Sequence, residues 1–160
     1  FGDNPLLAAI KAKDLDNVRV AIARGAKSET EDFDGRTPVI HAGIVGAAAI
    51  IEYLAESEVS INHKDKLGNT ALYYAADLGH VDAAETLIGR QADINSENRR
   101  CPTPLIIAAS QGRNEIVRIL LEHNVDKTRR DYTGRSALMW AVRNHKSQTV
   151  KILLSAGVRE

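Results

Sequence analysis

The side chains able to do chemistry are few and scattered. The histidines are His41, His63, His80, His123 and His145. None stands with another His or a Cys at the short spacings that hold a metal, so no metal site is expected. Cys101 is the one cysteine. A thiolate nucleophile needs a base beside it, and the sequence assigns none. Ser136, His145 and Asp131 have the residue types of a hydrolase triad, in which His takes the Ser proton and Asp orients the ring. Ser136 has a competing use as a helix cap. No P-loop is present to cradle nucleotide phosphates, and no GxGxxG follows a strand. The expectation is a non-catalytic protein without metal or cofactor.

Composition bounds the elements around these residues. The chain has 160 residues, 44% hydrophobic, 26% charged and 4% aromatic. That is one globular domain of ordinary size with an aliphatic, alanine-rich core. A single cysteine forms no internal disulfide; this suits the cytosol, the default expectation, and leaves an exported or periplasmic protein open. No apolar run approaches the roughly 18–20 residues that cross a bilayer, and no leader pattern is visible.

The chain aligns on itself at a spacing of 33 residues. Asn4, Thr37, Thr70, Thr103 and Ser136 form one column, all types whose side-chain oxygen caps a helix N-terminus. Pro5, Pro38, Ala71, Pro104 and Ala137 follow, and proline suits the first helical position. Leu6, Val39, Leu72, Leu105 and Leu138 then face inward, and small residues such as Ala42, Ala75 and Ala108 let helices approach closely. Gly46, Gly79 and Gly112 end the first helix in the left-handed region; Lys13 and His145 hold that place in the outer units, so those ends should be less ideal. A second helix follows in each unit, with apolar residues at helical spacing, such as Val117, Leu120 and Leu121. Turns at Asp34-Gly35, Gly68-Asn69 and Thr133-Gly134 join the units. Cys101 replaces the turn glycine in the fourth, where a different turn is expected.

A turn and two short helices per 33 residues, with TPLIIAA (Thr103–Ala109) and GHVDAAETLI (Gly79–Ile88) as marks, resembles the ankyrin repeat family. The resemblance covers the whole chain as one domain, 1–160, in five units: 1–31, 32–64, 65–97, 98–130 and 131–160. It implies an all-α solenoid of stacked helix-turn-helix units joined by β-turn or hairpin loops. It also makes His80, in the "GH" position, a structural residue. One departure stands out: the family's TPLH histidine is replaced by Leu7, Ile40, Tyr73, Ile106 and Met139. Asn17 and Thr149 stand where inner units have Ile50, Ala83 and Ile116. They read as partial caps on a stack close to complete.

The resemblance implies that another protein, of unknown identity, binds the concave groove and the turn tips. An inhibitor or regulator of a partner enzyme is one form, and a scaffold domain of a larger protein another. The chain itself is expected to be a monomer when free. Carried onto this sequence, the tips include Phe33, Arg36, Lys66, Leu67, Arg99, Arg100, Tyr132 and Arg135. The first-helix positions include Asp77, Leu78, Gln111, Arg143 and Asn144. Four residues after each cap lie His41, Tyr74, Ile107 and Trp140, one turn from Val45, Leu78, Gln111 and Asn144 and so on one face. They read either as a stripe of anchors along the groove or as packing between units.

Net charge is zero but unevenly spread. Residues 32–97 carry four Lys and Arg against eleven Asp and Glu, or −7, and residues 98–160 carry twelve against five, or +7. Arg99, Arg100, Arg129, Arg130 and Arg135 cluster around the last two turns. Such a layout steers a partner of matching charge. Nucleic acid is disfavoured, because the acidic middle repels phosphates and no nucleic-acid motif is present. A membrane role has no basic amphipathic helix to rest on.

Overall fold

The computed structural model describes residues 4–159; Phe1, the predicted start of the first repeat, and Glu160 lie outside them. Among the described residues ten helices form five pairs: α1 (Pro5–Lys11) with α2 (Leu15–Ala23), α3 (Pro38–Val45) with α4 (Ala48–Ala55), α5 (Ala71–Leu78) with α6 (Val81–Gly89), α7 (Pro104–Gln111) with α8 (Asn114–Glu122), and α9 (Ala137–Arg143) with α10 (Ser147–Ser155). Among the described residues no strand accompanies them beyond one isolated bridge between Arg130 and Ser136. The helices run only seven to nine residues, below the roughly 12–15 that make an isolated helix even marginal in water. Their stability therefore comes from stacking. First helices pack on first helices, second on second, in two layers.

The core lies between the layers. Ile40, Ile51, Leu54, Leu87, Leu120 and Leu153 are fully buried, and Leu72 and Leu105 are 1% exposed. Ala42, Ala75, Ala108 and Ala141 are fully buried where first helices meet. Contact is so close at Gly43 that a Cβ there would stand 2.7 Å from the Ala71 carbonyl oxygen. In the column that departs from TPLH, Ile40 and Ile106 are buried aliphatic packing.

Capping follows the expected column with one exception. Asn4, Thr70, Thr103 and Ser136 accept first-turn N–H groups; Thr37 does not, and its hydroxyl oxygen is buried without a partner. Gly46, Gly79 and Gly112 end α3, α5 and α7 at φ of 75°, 79° and 72°. The next unit leans on each glycine. His80 Nε2 donates to the Ile44 carbonyl (2.9 Å), and Arg113 Nε to the Asp77 carbonyl (3.0 Å). A Cβ on Gly46 would meet His80 Nδ1 at 2.5 Å. His80 thus ties two repeats together. Lys13 and His145 adopt the same left-handed region, φ 56° and 58°, with a side chain in place, which carries strain that glycine avoids.

Two expectations need correction. Cys101 does not change its turn. It takes φ 66°, and its N–H reaches the Asn98 carbonyl at 2.9 Å, as Gly68 reaches Asp65 at 2.9 Å. The neighbouring turns impose the geometry through backbone rungs: Arg99 N donates to Leu67 O (3.2 Å) and Tyr132 N to Arg100 O (3.1 Å). Thr149 is not a water-facing cap. It is 1% exposed, and its hydroxyl donates to Asn114 Oδ1 at 2.5 Å. This column faces the preceding unit, so the fifth unit buries it against α8, whereas Asn17 in the first unit is exposed.

Candidate functional site

Each turn is built on one polar side chain five residues before the cap. Asp32 Oδ1 accepts from the N–H groups of Asp34 and Arg36, both at 2.9 Å. Asp65 Oδ1 accepts from Leu67 (3.0 Å) and Asn69 (2.9 Å), and Asp131 Oδ1 from Thr133 (2.9 Å) and Arg135 (3.1 Å). The second oxygen of each reaches a side chain nine residues on. His41 Nε2 donates to Asp32 at 2.7 Å, the Tyr74 hydroxyl to Asp65, and Trp140 Nε1 to Asp131 at 2.7 Å. In the fourth turn the pair changes together: Asn98 stands for the Asp and Ile107 for the donor.

The polar members of the stripe, His41, Tyr74 and Trp140, therefore have a structural task. His41 and Tyr74 are buried, at 7% and 9% exposure, with their polar atoms turned to their own turns. Ile107 and Trp140 are half-buried. The signal was present in the sequence as an Asp nine residues before each polar member of the stripe. These contacts also set protonation. Burial raises the Asp32 carboxyl, but the Arg36 N–H, the His41 ring and the Asp34 N–H outweigh it and hold the group below its ordinary 3.8. Burial likewise raises Asp131, and the Thr133 hydroxyl, the Trp140 indole and two backbone N–H groups bring it below the ordinary value. The Tyr73 phenol is pushed up to about 12 by burial and by nearby Asp77 and Tyr74.

The tips carry the exposed side chains. Phe33 is 80% exposed, Leu67 59% and Tyr132 69%. Lys66 Nζ sits 4.8 Å from the Phe33 ring centroid. Arg36 is partly spent: its guanidinium lies 5.3 Å from the Tyr74 ring centroid, with Nε 3.6 Å from Asp65. On the first helices Leu78 is exposed, Asp77 accepts from Gln111 Nε2 (2.9 Å), and Asn144 is committed to the Ser110 carbonyl (2.8 Å) and hydroxyl (2.9 Å).

The predicted arginine cluster divides. Arg129 is paired with Glu97 (2.5 Å) and Asp126 (3.0 Å), and Arg130 donates to the Gly134 carbonyl (2.9 Å). Among the described residues Arg99, Arg100, Arg135 and Arg143 have no ion pair. Arg135 and Arg143 lie 5.3 and 6.0 Å from the Trp140 ring centroid, a cation–π arrangement. Arg143 was read from the sequence as a first-helix position; its approach to Trp140 was not. Between the fourth and fifth turns Arg100, Arg135 and Trp140 border a cleft of about 360 Å³. A larger hollow of about 620 Å³ lies against α1 and α2, on the face that inner units bury against the unit before them, and holds none of the predicted side chains.

Two of the three triad types have structural partners. Ser136 Oγ caps α9 through Met139 N (3.2 Å), and Asp131 holds Trp140. Cys101 is half-buried in its turn. Among the described residues no His, Cys, Asp and Glu group could hold a metal, and no helix is long and apolar enough to cross a membrane. A family model described as ankyrin repeats (3 copies) matches residues 6–98 and 92–159. No curated protein matches the sequence.

Proposed function

The chain belongs to the ankyrin-repeat family, whose repeats generally bind other proteins and typically catalyse nothing, and from that premise we propose that it is a non-catalytic module binding a partner protein through its turn tips and first-helix face. The observation that carries this reading is the row of exposed apolar tips, Phe33, Leu67 and Tyr132. Large apolar side chains standing in water at that exposure lose nothing by being covered, and aromatic anchors dominate many interfaces. The rungs between turns hold the row in register, so little ordering entropy opposes association. Tyr74 and His41 support the tips from beneath, while Arg99, Arg100, Ile107, Trp140 and Arg143 supply contact area. The output that best fits is occlusion, in which a rigid curved surface covers the mouth of a partner enzyme. A scaffolding role for the same surface is the other form.

Affinity capture tests the reading, using the protein beside a Phe33→Ala/Leu67→Ala/Tyr132→Ala variant of unchanged circular dichroism and melting. A protein retained by the first bait alone supports the tip surface. If that protein is an enzyme, adding the bait to its assay separates inhibition from scaffolding. Equal capture by both baits removes the tips from the interface.

A further inference from the structure

We infer that the cleft between the fourth and fifth turns takes an acidic, extended peptide segment of the partner, with one apolar side chain seated against Ile107 and Trp140. This rests on the protein-binding reading above and names the chemistry of the segment. The cleft, about 360 Å³, has apolar walls from Pro102, Ile107 and Trp140 and a cationic rim from Arg100 and Arg135. It falls at the small end of ligand clefts, which run about 300–1,000 Å³. That suits a side chain with its flanking backbone. Arg99, next to Arg100 in the chain, and Arg143, 6.0 Å from the Trp140 ring centroid, add exposed positive charge outside the cleft lining.

The arginines of the rim differ from those that are neutralised by a carboxylate of their own or a neighbouring repeat. Arg90 is paired with Glu52, and Arg129 with Glu97 and Asp126, whereas Arg99, Arg100, Arg135 and Arg143 meet no carboxylate among the described residues. Two carboxylates lie near. Asp131 is saturated by Thr133 N, Thr133 Oγ1, Arg135 N and Trp140 Nε1, and Asp77 is taken by Gln111. Arg135 and Arg143 both approach the Trp140 ring, at 5.3 and 6.0 Å from its centroid, a contact that does not use their N–H groups and leaves them for a carboxylate, which Arg recognises in bidentate fashion. A peptide fits this layout better than a nucleic acid strand. The groove continues into residues 32–97, which carry −7. A strand brings a phosphate at every step, while a peptide changes charge along its length.

Selection of random twelve-residue peptides displayed on phage tests the inference. Enriched sequences are expected to be acidic around an apolar residue and to change the fluorescence of Trp140, the one tryptophan. Arg100→Glu/Arg143→Glu should weaken a synthetic copy of the best peptide by about tenfold or more, and salt should weaken it further. Arg99→Glu/Arg100→Glu, which leaves Trp140 and its two arginines intact, should act in the same direction. Lys66→Glu, in the third repeat, should change affinity less than about twofold. Neutral or basic winners, indifference to the arginine reversals, or tighter binding of a dT15 oligonucleotide at the same arginines would overturn the proposal. Peptides lost on Phe33→Ala/Leu67→Ala instead would sink the cleft and leave the protein-binding reading standing. An absence of enriched peptides also sinks the cleft; joined to an empty capture, it sinks both.

Discussion

The third and fourth turns share one backbone and differ in nearly every side chain that holds it. In the third, Asp65 takes two backbone N–H groups and the Tyr74 hydroxyl, Gly68 supplies φ 83° without strain, and Asn69 Nδ2 donates to the Tyr74 oxygen at 3.1 Å. In the fourth, Asn98 accepts from Arg100 N alone (2.8 Å), because Pro102 has no N–H to offer. Cys101 holds φ 66°, Ile107 presents no polar atom, and Asn98 turns its Nδ2 back to Asn69 at 2.7 Å. The Asn98 N–H to Pro102 carbonyl contact is 3.4 Å, against 3.0 Å between Asp65 and Asn69. A repeat can thus lose its polar anchor if donor and acceptor leave together, since no buried group is then stranded. The consequence is local: the apolar wall that Pro102 and Ile107 give the cleft exists where the anchor does not.

The comparison can be broken at several levels. The two repeats should first prove equal where they share a core. Leu72→Ala and Leu105→Ala, each at a site 1% exposed, are expected to cost about 2–5 kcal/mol apiece in urea unfolding. A cost under 1 kcal/mol at Leu105 would show the fourth repeat to be looser throughout, not in its turn alone.

The turns should then separate. Asp65→Ala strands the buried Tyr74 hydroxyl and two N–H groups, a loss of about 1–3 kcal/mol. Asn98→Ala strands less and should cost under about 1 kcal/mol. Equal losses would mean that the Tyr74 contact adds nothing. Glycine chemistry sharpens the contrast with opposite signs. Gly68→Ala meets Arg99 N at 3.1 Å at a positive φ, and should lose about 1–2 kcal/mol. Cys101→Gly removes a similar strain but adds backbone entropy to the unfolded chain, for a net gain under about 1 kcal/mol. A thermal melt reads both.

Acid gives the smallest effect. Asp131 has a folded-state pKa below its ordinary value, so its contribution is present above the unfolded pKa, near 3.9, and is lost as pH falls through the folded pKa. The fourth turn has no carboxylate and no such loss. Asp131→Asn makes the fifth turn resemble it, and should shrink the fall in stability below about pH 4 relative to the parent. An unchanged acid profile would locate the loss at other carboxylates, Asp32 among them.

Much was legible in the sequence because it is local or periodic. The cap column, the left-handed glycines and the spacing of Val117, Leu120 and Leu121 are written by helix geometry, and a 33-residue period leaves few ways to stack. The five repeats and their order follow from this alone. Other facts belong to contacts between units. Whether Thr149 meets water or Asn114 depends on which side of the unit has a neighbour. Cys101 keeps a glycine's conformation because rungs from the third and fifth turns hold it there. Which arginines are neutralised depends on distances to carboxylates in adjacent units: Arg129 finds Glu97, and Arg100 finds none among the described residues. Sequence fixes the propensities and period of each unit, while the charge and shape of the surface are settled only when the units pack, because ion pairing and burial fall off within a few ångströms and those neighbours lie some thirty residues apart in the chain.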